Sequence, residues 1–348
     1  MTGLADALRQ QGGEVAVYAD RVRAPGAGEL QRRYPIHRFA LWRPIRRLMK
    51  RRIIAQALAQ TETTGVFTDS WKSVSAVPRG AGPIVTLAHG SEFPQRASII
   101  KRWRINRALR RCKAIVASSN YTADLLAPFL DGVKAKVLVV NPPIPPLPEA
   151  QAPALAEVDA LIAGRSPVVA TLARLEARKG VDQVLQAIAA LREEFPQLVY
   201  LIAGAGPDMA RLKRLTRSLS IEDRVAYMGE IVDPQKKAAL LTRCDLYAMP
   251  SRRVGNSVEG FGISYVEAGW YGVASIGGDN SGAGDAIIDS ATGYICRGEA
   301  DADVRRPIAQ LLRDATLRRE FGGAAGILAR QKFTWAASLP RYLAALGN

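Results

Sequence analysis

Apolar positions in the second half of the chain alternate between two rhythms. Short runs rich in Val, Ile, Leu and Tyr, at 168–172, 198–203, 225–228, 246–249 and 273–276, have the length of buried strands. Between them, apolar residues recur three or four apart. Val184, Leu185, Ile188 and Leu191 mark one such stretch over 181–194, and 209–219, 234–242 and part of 258–269 read as further helices. Strand and helix in strict alternation predict βαβ units and a parallel sheet.

The first half carries the same rhythm with more interruptions. Strands are predicted at 14–18, 65–68, 84–88, 114–117 and 137–140, with helices over 4–11, 45–59, 98–111 and 122–129. The break between the halves is Asn141-Pro-Pro-Ile-Pro-Pro-Leu-Pro148, with five prolines in eight residues. Proline cannot donate to a ladder and fixes φ, so this segment and the Ala/Pro-rich sequence after it predict an extended linker. The expected organisation is a doubly wound domain over 1–145, a linker over 146–164, a second doubly wound domain over 165–332 and a terminal helix over 333–348. Ligands of such folds bind at the carboxyl ends of the strands.

Composition narrows the classes. Of 348 residues, 48% are hydrophobic and 23% charged, values that exclude a disordered or low-complexity chain. No apolar run approaches the ~18 residues of a membrane span. The start, with Asp6 and no basic-then-apolar pattern, is unlike a signal peptide, and a cytoplasmic protein is expected. Cys112, Cys244 and Cys296 are too scattered for a disulfide framework or a zinc site.

Charge changes the picture more. Lys and Arg number 48 against 32 Asp and Glu, a net +16. Residues 1–150 hold 24 basic and 10 acidic residues, net +14, which leaves 24 and 22, net +2, for the rest. A basic half beside a neutral one calls for an anionic partner, a membrane surface or a nucleic acid. Two stretches concentrate the charge. Arg43 to Arg52 contains six cations, among them Arg46, Arg47, Lys50, Arg51 and Arg52, with Ile45, Met49 and Ile53 on an i, i+4 ridge. Lys101 to Lys113 contains seven, among them Lys101, Arg102, Arg104, Arg107, Arg110 and Arg111, with Trp103 between. Basic helices with Trp, Leu and Ile suit anionic headgroups. The plainer alternative is a solvated face over a core ridge. Nucleic acid is disfavoured because aromatics are only 7% and no binding motif is present.

Two features of the second half carry chemistry. In Glu259-Gly-Phe-Gly-Ile-Ser-Tyr-Val-Glu267, two glutamates bracket a Gly-x-Gly turn and a helix start, whose free N–H groups favour an anionic or hydroxyl-rich ligand. In Arg174-Leu-Glu-Ala-Arg-Lys179-Gly180, Arg174 and Lys179 sit in a strand-to-helix loop at the carboxyl edge of the sheet, where two cations suit a diphosphate. A capped helix and two solvated loop cations are the ordinary alternatives. Gly204-Ala-Gly206-Pro207 lacks the third glycine of a dinucleotide fingerprint and reads as a tight turn before a surface helix.

These motifs, with Val225-Ala-Tyr-Met-Gly229 and Met249-Pro250-Ser251, occur in one order and spacing. Together they resemble the "group 1" glycosyltransferases, the retaining family 4 with the GT-B architecture of two Rossmann-like domains, over about residues 165–345. The resemblance implies that Arg174 and Lys179 hold the donor diphosphate and that Glu259 lies beside the donor sugar. It places Glu267 on the ribose hydroxyls, the backbone of Gly260, Phe261 and Gly262 along sugar and phosphates, and Met228, Gly229 and Glu230 by the base. Leu87-Ala-His89-Gly-Ser-Glu92 resembles the family's strand-end histidine motif, with His89 on the donor sugar, and its similarity to mannosyltransferases leans the donor to GDP-mannose over a UDP-sugar.

The resemblance also implies no cofactor and no metal, since Arg174 and Lys179 supply the charge that Asp-bound Mg²⁺ supplies elsewhere. The one Asp-x-Asp, Asp301-Ala-Asp303, is expected in a solvated surface turn. The terminal segment resembles the family helix that crosses back to the first domain. One departure stands out: the family opens with a strand and a glycine-rich loop, whereas here Met1 falls almost on the first helix. The expected protein is a peripheral membrane enzyme moving a hexose from a nucleotide sugar to a lipid-linked or glycolipid acceptor. The alternatives are a GT-B sugar-nucleotide epimerase, or an inactive homologue that binds anionic membranes or nucleic acid.

Overall fold

The computed structural model describes residues 2–21, 32, 34–40 and 42–347. Its contacts divide the chain into two units, Met1–Val140 with Trp335–Asn348, and Asn141–Thr334. Each is an α/β unit with parallel strands.

In the first unit, β1 (Val17–Asp20) pairs with β2 (Ile36–Phe39) in a two-stranded sheet. A four-stranded sheet runs in the order β3 (Val66–Thr68), β4 (Ile84–Ala88), β5 (Ala114–Ala117) and β6 (Lys136–Val139). Every residue of β4 and β5 is buried, as expected of parallel strands covered on both faces. One layer of the core joins Leu4 and Ala7 of the helix Thr2–Gln10, Val85 and Leu87 of β4, and Leu339, Tyr342 and Leu346 of the helix Trp335–Leu346. The strand expected at 14–18 lies at Val17–Asp20, and β2 was not predicted. Only Phe39 of Ile-His-Arg-Phe is buried, and the polar His37 and Arg38 interrupt any apolar run, so β2 gives no strand signal in the sequence.

The second unit is a six-stranded parallel sheet in the order β12-β11-β10-β7-β8-β9. In chain order these are β7 (Val168–Leu172), β8 (Val199–Ala203), β9 (Val225–Gly229), β10 (Leu246–Met249), β11 (Ser275–Gly278) and β12 (Gly293–Cys296). Alternate residues of a strand point to opposite faces, and the two cores divide accordingly. Val168, Ala170, Val199, Leu201, Tyr247 and Met249 enter one layer, and Val169, Tyr200, Ile202, Leu246 and Ala248 the other. From β7 the chain builds outward through β8 and β9, then returns to the other side of β7 with β10. The order therefore reverses between β7 and β10, a topological switch point, the place where ligands of such sheets bind.

The linker assigned to 146–164 needs correction. Residues Ala152–Ile162 form a helix whose Ala154, Val158 and Ile162 enter the first core layer. Proline in its first turn gives up no hydrogen bond there, so Pro153 starts the helix instead of preventing it. The Asp-x-Asp motif is also not in a turn: Asp301 and Asp303 lie in the first turn of the helix Asp301–Arg313, where carboxylates favour the helix dipole.

Candidate active site

The loop after β7 turns through a short 3-10 segment, Ala177–Lys179, and enters the helix Val181–Ala190 at Gly180. Gly180 has φ +70°, and a Cβ there would stand 2.2 Å from the Pro250 carbonyl oxygen, so only glycine lets this loop lie against the loop after β10. A backbone hydrogen bond from the Arg252 N–H to the Arg178 carbonyl, 2.8 Å, ties the same two loops. Side chains repeat the tie. Arg252 Nη1 and Nη2 lie 2.9 and 2.7 Å from the two oxygens of Asp182, and Arg211 Nη2 adds a contact at 3.2 Å. Burial pushes the Asp182 carboxyl up, but Arg252 and Arg211 outweigh it and hold the group below the usual carboxylate range.

This frame brings Lys179 to Glu259. The ammonium contacts Glu259 Oε2, and Arg178 Nη1 reaches the same oxygen at 2.8 Å. The cluster is nearly dry: the side chains of Lys179 and Glu259 are 10% and 13% exposed. Burial pulls the Lys179 ammonium below its ordinary value, with Glu259 opposing it. Burial acts on Glu259 in the raising sense, yet Lys179 and Arg178 prevail and keep the carboxyl low, so it is ionised at neutral pH. Arg174 differs. Its side chain is 72% exposed and, among the described residues, pairs with the flanking Glu176 alone, 3.3 Å away, so its guanidinium is open to an incoming anion.

Glu259 itself is set by the turn that follows. Its carbonyl accepts from the Gly282 N–H at 2.8 Å, and Phe261 is buried against Phe333, ring centroids 5.5 Å apart. Gly262, at φ +92°, begins the helix Ile263–Trp270, which carries Glu267. Glu267 Oε1 accepts from Lys237 Nζ at 2.6 Å.

A cleft of 480 Å³ opens at this edge. Arg174, Glu230 and Glu267 line it together with Leu172, Ser264, Ile231 and the turn Gly204–Ala205–Gly206. The structure thus gathers three of the predicted residues on one cavity, with Lys179, Glu259, Gly260, Phe261 and Gly262 in adjoining loops of the same edge. Met228 packs beneath, against the core, and Gly229 carries a carbonyl that accepts from the Gly204 N–H at 2.6 Å. The Gly204–Gly206 turn is not merely the approach to a surface helix, because it forms one wall of the cleft. Arg178, Asp182, Arg252 and Lys237 were missed. Each is an ordinary charged residue until the fold brings its partner, and no spacing in the sequence marks those pairs.

His89 belongs to the first unit. It is exposed directly after β4, and its backbone N–H donates to Glu92 Oε1 at 2.8 Å, which shapes the His89-Gly-Ser-Glu92 turn. The basic stretches lie in this unit as well. The helix Arg43–Gln60 has no buried residue among those described, the side chains of Arg43 and Pro44 lying outside that description. Arg46 and Lys50 pair with Asp20 at 3.2 and 2.5 Å, while Arg47, Arg51 and Arg52 are exposed beside Ile45, Leu48 and Met49. The plainer alternative, a solvated face over a core ridge, does not hold for Ile45 and Met49, which both face outward. Trp42, next to the helix, is 74% exposed.

In the helix Ile99–Leu109, only Ile105 and Leu109 are buried. Ile99, Ile100 and Trp103 are exposed, Arg104 is exposed and Lys101 half-buried, and the Arg107 guanidinium lies 5.1 Å from the Trp103 ring centre. Three cations assigned to a membrane or acceptor surface are instead tied to the protein. Arg102 donates to the Pro128 carbonyl, Arg110 to Asn106 Oδ1 and the Asp131 carbonyl, and Arg111 to the carbonyls of Val74, Val77 and Pro78. Among the described residues no helix is long and apolar enough to cross a membrane.

Comparison with known proteins agrees with this geometry. The family model "Glycosyl transferases group 1" matches residues 157–326, and "Glycosyltransferase Family 4" matches 1–146. A GDP-mannose-dependent alpha-(1-6)-phosphatidylinositol monomannoside mannosyltransferase of Mycolicibacterium smegmatis is 29% identical over 74% of this chain and 68% of its own length. In curated relatives of the same description from Mycobacterium tuberculosis the match spans 42% of their length. Among solved structures, a glycosyltransferase from Rickettsia africae superposes with a TM-score of 0.81 at 18% identity, covering 99% of this chain and 92% of that one. The Anabaena Alr3699/HepE protein in complex with UDP gives 0.77 at 18% identity, covering 95% and 99%. At such identities the likeness shows the fold, which is GT-B. With one family model on each half and the motif residues gathered at the switch point, the chain belongs to the group 1 glycosyltransferases.

Proposed function

We propose that this glycosyltransferase takes a hexose from a nucleoside-diphosphate sugar, with GDP-mannose the first candidate, and transfers it to a lipid-linked or glycolipid acceptor. The observation that carries this reading is the pair of cations at the switch point. Exposed Arg174 on the cleft and nearly buried Lys179 stand in one loop, with Glu259 and Glu267 on the facing element. A diphosphate replaces the carboxylate as the anion that Lys179 holds, and Arg174 meets it from the solvent side. Preorganised cations stabilise the charge that develops on the departing nucleoside diphosphate, which is the part a metal plays in other enzymes. The reaction needs no metal on this reading.

Glu259, ionised and fixed, accepts hydrogen bonds from donor-sugar hydroxyls. Glu267 lines the cleft two turns along its helix and accepts from the ribose hydroxyls, while the backbone of Gly260 to Gly262 lies along the sugar and phosphates. Met228, Gly229 and Glu230 border the base. The transfer retains configuration by front-face attack. The bond from the sugar C1 to the phosphate oxygen breaks, the acceptor oxygen bonds to C1 on the same face, and the acceptor proton goes to the leaving phosphate. The GDP-mannose dependence and phosphatidylinositol monomannoside acceptor named for the relatives support the choice of donor and lipid acceptor.

The enzyme works as a peripheral protein on the cytoplasmic face of the membrane. Exposed Trp42, Ile45, Leu48, Met49, Ile99, Ile100 and Trp103 beside Arg47, Arg51, Arg52 and Arg104 support contact with anionic lipid. The test is turnover of GDP-mannose and UDP-sugars with phosphatidylinositol-based acceptors in vesicles. Transfer with retained configuration in the presence of EDTA is expected. Absence of turnover of every donor overturns the reading, and epimerised donor without transfer selects an epimerase.

A further inference from the structure

Arg178 stands between two carboxylates. Its Nη1 is 2.8 Å from Glu259 Oε2, its Nε is 2.8 Å from Glu176 Oε2, and its carbonyl is held by the Arg252 N–H at 2.8 Å. The Glu259 oxygen it contacts is the one that Lys179 contacts. Two cations on one oxygen of a nearly buried carboxylate is one more than Glu259 needs for itself, Arg178 being shared with Glu176. The donor reading above, on which this inference rests, gives the redundancy a purpose. Lys179 has two anions to serve, Glu259 without donor and a diphosphate with it. A buried Glu259 with lysine as its single partner would be left uncompensated each time the ammonium moved, and breaking such a pair is costly. The lysine would then stay on the carboxylate, or the carboxylate would take up a proton.

We propose that Arg178 is a positioning residue that keeps Glu259 ionised and aimed while Lys179 passes from that carboxylate to the donor diphosphate. The guanidinium suits the task because it is a rigid fork: Nε stays on Glu176 while Nη1 stays on Glu259, so its place does not depend on Lys179. Lysine at 178 has no second donor fixed at that angle. The other titratable groups near Glu259 among the described residues are Glu176, on the far side of Arg178, and the phenols of Tyr247 on β10 and Tyr265 on the helix Ile263–Trp270, both held neutral by burial. Among the described residues, Arg178 and Lys179 are therefore the cations that counter the charge of Glu259.

The test uses Arg178→Met and Arg178→Lys in the full chain. The protonated-carboxyl infrared band of Glu259 is followed against pH without donor, assigned by difference against Glu259→Gln in the same background. Arg178→Met is expected to raise the pH at which the band appears by about 1–3 units, the usual effect of losing an adjacent opposite charge, and Arg178→Lys to restore most of it. Binding of GDP and UDP by calorimetry is expected to weaken about tenfold in Arg178→Met, because Lys179 no longer leaves Glu259 freely. An unmoved band in both variants, with wild-type nucleotide binding intact, overturns the role of Arg178 alone. A moved band in a protein whose wild type binds neither nucleotide overturns the hand-over together with the donor reading. A lower Tm with band and affinity unchanged marks a structural residue and also overturns the proposal.

Discussion

Arg252 grips Asp182 with both terminal nitrogens, 2.9 and 2.7 Å from the two carboxylate oxygens. One residue follows the sheet strand β10 and the other lies in the first turn of the helix after β7, so this fork joins the two loops that follow the strands of the switch point. Both side chains are largely buried, at 15% and 11% exposure, and the pair fixes the frame on which Lys179 is carried.

Asp182→Asn should destabilise the second unit by about 3–5 kcal/mol, the usual cost of leaving a buried charge without its partner. The pH dependence follows from the sign of the shift. Because Arg252 and Arg211 hold the Asp182 carboxyl below its unfolded value despite burial, its contribution is complete above about pH 4 and is lost as pH falls through the folded value. Chemical denaturation at neutral pH and below pH 4 checks this: the gap between wild type and variant should narrow in acid.

Arg174→Ala and Lys179→Ala should separate binding from folding. Arg174 is exposed, so its loss should leave stability within about 0.5 kcal/mol while lowering turnover on the order of 10²–10³. Lys179 is buried on Glu259, so its loss should lower both turnover and Tm. Thermal unfolding with donor turnover on the same preparations makes the comparison.

Gly180→Ala should impair donor use although residue 180 carries no functional group. The added Cβ meets the Pro250 carbonyl and the backbone is at positive φ, so the loop must move and take Lys179 with it. A loss of about 2 kcal/mol or more in stability is expected, with weaker GDP binding by calorimetry.

Replacing Arg47, Arg51 and Arg52 by Glu should abolish flotation with anionic liposomes. Each cation near such a surface contributes on the order of a fivefold change in partition, so three removed weaken binding on the order of 10², and reversal weakens it further. Donor hydrolysis in solution should be unaffected. Raising salt should release the wild type in the same way, through screening.

The second unit was far more legible than the first. Strands β7, β8 and β10 are continuous apolar runs because both faces of a parallel sheet are covered, and five of the six strands were expected close to their observed places, β12 with its Gly-Tyr-Ile-Cys sequence being the exception. In the first unit the helix Arg43–Gln60 was legible through its charge, but which of its apolar residues face the core was not, since Ile45 and Met49 keep a helical spacing while facing outward. At 146–164 the prolines masked a helix, because Pro153 in a first turn and proline in a linker look alike until Val158 and Ile162 are seen to be buried.

By itself the sequence determined the family and the alternation of strands and helices, and it singled out Arg174, Lys179, Glu259 and Glu267 as candidates, because these depend on residue type and spacing along one loop or helix. Only the tertiary structure decided that Lys179 rests on Glu259, that Arg178 shares the same oxygen, that Asp182 and Arg252 lock the two loops, and that Arg111 is spent on backbone carbonyls. The physical reason is one of distance along the chain. Glu259 lies 80 residues from Lys179 and Arg252 lies 70 from Asp182, and what a charge does in a protein depends on the partner and the dryness that folding supplies.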